Sequence, residues 1–267
     1  MQREIRLAGH RVLALEEVDS TSAHARRLLE AGALAAGDAV VAGRQSAGRG
    51  RRGRSWVTVP GRSLAASLVL APPPLARPTR LTVLAAVAAC RALESCGARG
   101  LAIKWPNDLM RADRKCGGLL VETAAGAAAG AGGRDAGPPL CVLGIGINLE
   151  LRPGDLPAEL AERAGDAGLP GDEGTRERLL AALLTELDAA LAQVGGPGDR
   201  ERGAEYRRRS WLVGRQAELS AAGERLVGRI ADVSEDGDLV LEGGRLLAGE
   251  SVELIAVLPP GERAASR

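Results

Sequence analysis

Residues 44–56 read RQSAGRGRRGRSW, which places arginines at 44, 49, 51, 52 and 54 among glycines 48, 50 and 53. Guanidinium groups concentrated on a backbone free to turn its N–H groups outward form an anion trap, since unit charges about 4 Å apart interact by roughly 4 kcal/mol at an effective dielectric near 20. A polyphosphate is the natural guest. GRGRRG formally fits G-x-G-x-x-G, but the dinucleotide fingerprint needs its third glycine to open a helix and an acidic residue about 20 positions further on. Here the segment runs into the strand-like SWVTVPG and then LAPPPL, so that site is rejected, and the G-x-x-x-x-G-K-[ST] loop is absent as well. An Arg/Gly segment can equally hold an RNA or DNA backbone, or serve as a solvated linker. The loop by itself leaves these readings open.

Rare residues carry a second signal. Of 35 cationic residues only Lys104 and Lys115 are lysine, the only asparagines are Asn107 and Asn148, and phenylalanine is absent. A lysine offers a compact ammonium that the planar fork of arginine does not reproduce. In a composition pushed towards Arg, Ala and Gly, such residues mark positions where chemistry accepts no substitute, although two lysines can also fall close together by coincidence.

The elements that must position these residues follow from pattern. RVLALEEV (11–18) reads as a strand, and DSTS then leads into the helix pattern AHARRLLEAG, with Asp19 or Ser20 able to cap its first turn. AVVAG (39–43) is a short strand, residues 45–54 are a loop, and SLAASLVLA is a buried strand. Residues 80–94 carry apolar positions at helical spacing. LAIKW is a strand stopped by Pro106, and GGLLVET and LCVLGIGINL are consecutive apolar strands joined by an Ala/Gly/Pro loop at 124–139, to which no function is assigned. Residues 176–194 read as a long amphipathic helix. From residue 213 the pattern turns to short strands with glycine turns, Asp236–Gly237 among them, so a domain of residues 1–212 and a small β domain of 213–267 are expected.

Composition bounds the rest. A chain of 267 residues, 45% hydrophobic and 26% charged, suits a globular protein. Its net charge of +1 argues against a globally basic nucleic-acid binder. No apolar run is long enough to span a bilayer, and the charged N-terminus has no export signal, so a cytoplasmic protein without a membrane partner is expected. Cys90, Cys96, Cys116 and Cys141 form no C-x-x-C pair, and with only His10 and His24 besides, no metal site is expected.

Four separated segments in order, DSTS, GRQSAGRGRRGRSW, KWPNDLM with RKCGGLLVE, and GIGINL, resemble the biotin protein ligase family, and the resemblance covers nearly the whole chain. It implies an α+β fold: a mixed-sheet biotin/lipoate ligase-like catalytic domain with flanking helices, followed by an SH3-like β-barrel. It implies ATP-dependent formation of biotinyl-5′-AMP and transfer of biotin to a lysine of a biotin carboxyl carrier protein, with Mg2+ accompanying ATP. Carried over residue by residue, it places Ser20, Thr21 and Ser22 at the biotin ring; many family members have asparagine where Ser22 stands. Gln45 would read the biotin side, and Gly48, Arg49, Gly50 and Arg51 would close over carboxylate and phosphates as a mobile lid. Trp56 would lie beside the adenylate or be ordinary core. Lys115 would contact the reacting carboxylate and the α-phosphate, with Gly117 allowing close backbone approach. Asp108 would orient or deprotonate the acceptor lysine, Asn107 would position polar groups, and Lys104 would bind substrate or form a structural ion pair. Asn148 would contact nucleotide or fix a turn. Cys116 reads as a small buried residue. Arg51, Asp108 and Lys115 are thus the candidate catalytic set. The segment before Asp19 is too short for the DNA-binding domain some family members carry, so no DNA partner is expected, and both monomer and homodimer stay open. A lipoate or octanoate ligase of the same fold and a nucleic-acid-binding module are the competing functions.

Overall fold

A computed structural model describes residues 2–73, 75, 78–123, 140–221, 223–249 and 251–258. The expected loop at 124–139 and the tail after 258 lie outside the described residues. An eight-stranded mixed sheet is built from β1 (Gln2–Leu7), β2 (His10–Val18), β3 (Ala39–Gln45), β4 (Ser63–Leu70), β5 (Leu101–Lys104), β6 (Asp108–Arg111), β7 (Arg114–Thr123) and β8 (Cys141–Asn148), in the order β1-β2-β3-β4-β8-β7-β6-β5. Its helices are α1 (Thr21–Glu30), α2 (Pro78–Ser95), the short α3 (Ala158–Ala161), α4 (Glu173–Ala192) and α5 (Pro197–Arg208). A five-stranded antiparallel sheet follows, made of β9 (Gln216–Ala221), β10 (Glu224–Val233), β11 (Leu239–Leu241), β12 (Leu246–Leu247) and β13 (Val252–Leu258). This is the expected α+β architecture with a second, all-β unit.

β2 and β3 pair in parallel with α1 as their crossover. Parallel strands end on the same edge of a sheet. The segment after β2 and the Gly/Arg loop after β3 therefore emerge side by side, joined by Ser46 N–H donating to Val18 O at 2.9 Å and Ala47 N–H to Asp19 O at 2.8 Å. α1 starts at Ser20, whose side chain accepts from the Ala23 N–H; of the two expected caps, serine is the one used. Asp19 instead receives both terminal nitrogens of Arg27, each at 2.8 Å.

β4 is buried along its whole length, as its unbroken apolar and small-residue run requires of a strand covered on both faces. α2 packs on α4 and on the sheet through an apolar cluster that includes Leu81, Ala85, Ala88, Ala92 and Leu93. Each fully buried leucine contributes about 1.5–3 kcal/mol. The same apolar cluster runs on into Ala217, Leu219, Ile230 and Leu239, so the second sheet shares its core with the first. Polar contacts fix the docking: Trp105 Nε1 donates to Gly237 O at 2.7 Å, and Thr79 Oγ1 to Asp236 O at 2.6 Å. The Asp236–Gly237 turn is thus held against the end of β5 and the start of α2.

Of the elements that the sequence pattern did not announce, three matter for the site and its support. β1 is a charged edge strand joined to β2 through Ala8 and Gly9, both at positive φ. β6 forms a two-residue hairpin with β7 through Ala112 (φ 47°) and Asp113 (φ 58°). α5 is polar, and it is held by ion pairs of Glu205 to Arg91 at 2.5 Å and to Arg209 at 2.8 Å rather than by an apolar stripe.

Two predictions follow from these contacts. Trp105→Phe should lower unfolding free energy by about 1–3 kcal/mol, the cost of leaving the Gly237 carbonyl unpaired, measured by denaturant titration. Hydrogen bonding from Arg27, working against burial, holds the Asp19 carboxyl down at about 2. Because the folded-state value lies below the unfolded one, the pair's contribution is present above about pH 4 and fades as pH falls towards 2. Arg27→Ala should return the Asp19 midpoint to about 4 in a carboxyl NMR titration.

Candidate active site

A cleft of about 1070 Å³ opens between the Gly/Arg loop, the β6–β7 hairpin and strand β13 of the second sheet. It gathers most of the residues that sequence reasoning singled out: Thr21, Gln45, Arg49, Gly50, Arg51, Trp56, Lys104, Asn107, Asp108, Lys115 and Asn148 all line it. Ser20, Ser22, Gly48 and Gly117 do not, and each has a local task.

At the end formed by α1 a chain of buried hydroxyls determines what can be offered to a ligand. Ser67 Oγ donates to Thr21 Oγ1 at 2.8 Å, and Thr21 donates to Gln45 Oε1 from both Oγ1 (3.2 Å) and its backbone N–H (2.8 Å). Ser22 Oγ lies 2.9 Å from Ser67 Oγ. Each hydroxyl has one proton; that of Ser67 is committed to Thr21, so Ser22 is the donor in their bond. Gln45 Nε2 in turn donates to Thr58 Oγ1 at 3.1 Å. Gln45 is thereby locked in orientation, and Ser22 spends its proton inside the protein. Ser67, the partner of Ser22, is a residue that sequence reading did not single out.

Glycines let these groups approach the sheet. A Cβ on Gly144 would lie 2.5 Å from Ser22 Oγ, and one on Gly146 would lie 2.4 Å from the Trp56 ring. Both belong to GIGIN and alternate onto one face of β8. Gly146 pairs with Gly118 of β7 on one side and Ala65 of β4 on the other, so the strip on which Trp56 and Lys115 rest is a glycine floor with almost no side chains of its own. Gly48 permits the Gly/Arg loop to close on itself: Trp56 N–H donates to Gly48 O at 2.9 Å, and a Cβ there would lie 2.3 Å from Trp56 O. Gly117 faces the Gly146 carbonyl, 3.0 Å from where a Cβ would stand.

Within the loop, residues 51–53 form a single 3-10 turn with Arg52 at φ 57°, where the sequence suggested no regular structure. Its cations rest on separate acceptors. Arg51 Nη1 donates to Asn107 Oδ1 at 3.3 Å, Arg49 lies 3.6 Å from Glu122, and Arg52 pairs with Glu253 of β13. Asn107 is clamped to β7, since its Nδ2 donates to Leu119 O at 2.5 Å and its O accepts from Leu119 N–H at 3.0 Å. Burial, and after it the neighbouring Arg52, pull the Arg51 guanidinium below its ordinary value, a direction that still leaves it charged.

Lys115 Nζ donates to Asp108 Oδ1 at 2.6 Å and stands 5.7 Å from the Trp56 ring centre. Its backbone is pinned by Lys115 N–H to Arg163 O at 3.0 Å and Gly165 N–H to Lys115 O at 2.8 Å. Lys104 sits opposite Asp108 across the β5–β6 ladder, with its ammonium 5.2 Å from the Trp211 ring. Burial lowers the Lys104 pKa while Asp108 pulls the other way. Trp211, Arg163 and the β13 segment line the same cleft and carried no motif that could have announced them. Asn148 ties β8 to its surroundings, Nδ2 donating to Gly165 O at 3.0 Å and Oδ1 accepting from Ser63 Oγ at 3.4 Å. The Cys116 thiol is buried, pushed up to about 12 by desolvation, and donates to Leu109 O at 3.4 Å, which makes it inert as a nucleophile. Trp56 Nε1 is buried with no hydrogen-bond partner, a donor that a bound ligand could satisfy.

Comparison with known proteins bears on this geometry. Residues 15–132 match the model of the biotin/lipoate A/B protein ligase family. The biotin--[acetyl-CoA-carboxylase] ligase of Mycobacterium tuberculosis is 30% identical over 89% of this chain and 87% of its own. The bifunctional ligase/repressor BirA of Escherichia coli is 31% identical over 88% of this chain and 70% of its own. Among solved structures, a biotin protein ligase from Aquifex aeolicus in complex with biotin and ATP superimposes with a TM-score of 0.74 at 27% identity, covering 91% of this chain and 97% of that one. With 30% identity to a curated biotin ligase along most of both chains and the same fold as a solved one, this chain belongs to the biotin protein ligase family.

Proposed function

We propose that the chain uses ATP to convert biotin to biotinyl-5′-adenylate and then transfers the biotin to a lysine of a biotin carboxyl carrier protein or domain. The observation that carries this reading is the convergence, over one glycine floor, of the Lys115 ammonium, the Asp108 carboxylate and the arginines of residues 49–54.

In the first half-reaction a carboxylate oxygen of biotin attacks the α-phosphorus of ATP, a carboxyl–phosphate bond forms, and pyrophosphate leaves with the electron pair of the broken P–O bond. Negative oxygens crowd the transition state, so fixed positive charge is the largest help a protein can supply. Lys115 would touch the carboxylate and α-phosphate, and Arg49 and Arg51 would face carboxylate and phosphates. Thr21 and Gln45 would meet the biotin ring, with Ser20 and Ser22 acting through the helix cap and the hydroxyl chain. Trp56 would offer its ring, and Nε1 its proton, beside the adenylate. The described residues contain no group of three or more His, Cys, Asp or Glu able to hold a metal; on this reading Mg2+ arrives on the phosphates of ATP and offsets their charge.

In the second half-reaction the carrier lysine must attack as a neutral amine. Its nitrogen bonds to the acyl carbon, the bond from that carbon to the phosphate oxygen breaks, and AMP leaves with the electron pair. Asp108 would orient the incoming ammonium, whose protons pass on to solvent. Residues 1–212 would do this chemistry, and residues 213–267 would close one wall of the cleft through β13. Four free thiols among the described residues suit a reducing, cytoplasmic setting, and no described helix is long and apolar enough to cross a membrane.

Biotin-dependent exchange of labelled pyrophosphate into ATP tests the reading. Wild-type protein should support exchange, and Lys115→Ala should reduce it by about 10²-fold or more while circular dichroism is unchanged. Exchange with lipoate or octanoate but not biotin would move the assignment to the related ligases, and salt-sensitive RNA or DNA binding with no exchange would make the loop a nucleic-acid site. The Gly/Arg loop would also act as a lid that keeps water from the mixed anhydride. Trypsin should cut between residues 49 and 54 in the free protein, and biotin with ATP should protect this segment; equal cutting with and without both ligands removes the lid.

A further inference from the structure

The only two lysines of the chain flank a single carboxylate. Asp108 faces Lys104 across the β5–β6 ladder, and its Oδ1 accepts from Lys115 Nζ at 2.6 Å. Lys104 is engaged elsewhere, over the Trp211 ring. Under the functional reading above, on which this inference rests, Asp108 must also receive the ammonium of the carrier lysine. That group and the Lys115 side-chain terminus are the same chemical species, a primary ammonium on a four-carbon stem. A carboxylate oxygen positioned for one is positioned for the other, and the two cannot occupy it together without like charges meeting. We propose that in the free protein Lys115 fills the place on Asp108 that the acceptor lysine later takes, and that the adenylate phosphate vacates this place by drawing Lys115 onto itself.

The local structure permits one partner to move and restrains the other. Asp108 lies in register with Lys104 on one side and Gly118 on the other, so its strand is held from both edges. The main chain of Lys115 is fixed to residues 163 and 165, yet its side chain is 38% exposed and only its stem must swing. Gly118 keeps that path open, because a Cβ there would stand 3.3 Å from both Lys115 Cε and Nζ. The Trp56 face, 5.7 Å from Nζ, gives the ammonium an electron-rich surface along the way. The arrangement orders the two half-reactions: until an anion claims Lys115, the acceptor lysine finds its carboxylate occupied.

The test compares binding of a recombinant biotin carboxyl carrier domain with the same domain whose acceptor lysine is replaced by methionine, by calorimetry. The binding partners are the free wild-type protein, wild type loaded with a non-transferable sulfamoyl analogue of biotinyl-adenylate, and the free Lys115→Met and Lys115→Gln variants. Free wild type should bind the two carrier domains alike. Loaded wild type and both free variants should prefer the lysine form by about tenfold, the size of one charge-assisted hydrogen bond at a part-exposed carboxylate. A preference already present in free wild type overturns the proposal, as does its absence from both folded variants. A loss of preference in every form, including the loaded one, shows instead that Asp108 does not receive the acceptor lysine, while biotin-dependent pyrophosphate exchange continues to report on the functional reading.

Discussion

Like charge gathered in one place is the constraint around which this structure is arranged. Arg49, Arg51, Arg52, Arg54, Lys104 and Lys115 all border one cleft, and cations at such separations repel one another by kilocalories per mole unless something intervenes. The protein intervenes locally. Arg51 rests on the Asn107 amide, Arg49 faces Glu122, Arg52 pairs with Glu253 and Lys115 with Asp108. Most of these partners are part-exposed, so each pair is weak enough for an incoming phosphate or carboxylate to compete with it. Strong, buried pairs would have made the site rigid and unreceptive; free cations would have opposed folding of the loop.

A second constraint concerns shape. Charge helps a reaction only where it can come close, and the absence of side chains at Gly118 and Gly146 lets the Lys115 ammonium and the Trp56 ring lie directly against the sheet. The cost falls on strand stability, since glycine weakens a strand interior. Here β8 and β7 are paired along both edges, by β4 on one side and β6 on the other. The parallel β2–β3 pair adds the other half of the geometry by delivering α1 and the Gly/Arg loop to the same edge, where Thr21 and Gln45 lock each other.

How much of this was legible in the sequence depends on what kind of signal each part leaves. Strands β2, β4, β7 and β8 are long apolar runs, and α2 and α4 repeat at helical spacing, so pattern alone locates them. The hairpin that sets Asp108 beside Lys115 was not legible, because its turn uses Ala112 and Asp113 at positive φ where glycine or asparagine is the usual marker. α5 escaped for the opposite reason: Glu205 and Arg202 are buried as charges, which periodicity of apolar residues does not reveal. At the site, the motifs named the polar groups of the Gly/Arg loop, α1, β7 and the segment after β5, but not Asp113, Glu162, Arg163, Trp211 or Glu253, which line the same cleft. They did not show that Ser22 donates inward to Ser67, that Gly144 and Gly146 serve close packing, or that β13 forms a wall. Those facts depend on partners far apart in the chain.

The role of β13 follows from how the second sheet is attached. Its turn at Asp236–Gly237 is bonded to Trp105 and Thr79, and Tyr206 OH donates to Pro106 O at 3.3 Å, so the segment that carries Asn107 and Asp108 is braced from both the second sheet and α5. The opposite end of the same small sheet presents Glu253 to Arg52 in the loop. The second sheet therefore touches both sides of the cleft, the Asp108 side through hydrogen bonds near residues 105 and 106 and the Gly/Arg loop through the part-exposed Arg52–Glu253 ion pair. The contacts are unequal: hydrogen bonds to main-chain carbonyls brace the carboxylate side, while side-chain charges alone join Glu253 to the loop, so the loop contact is the one more easily exchanged for an anion.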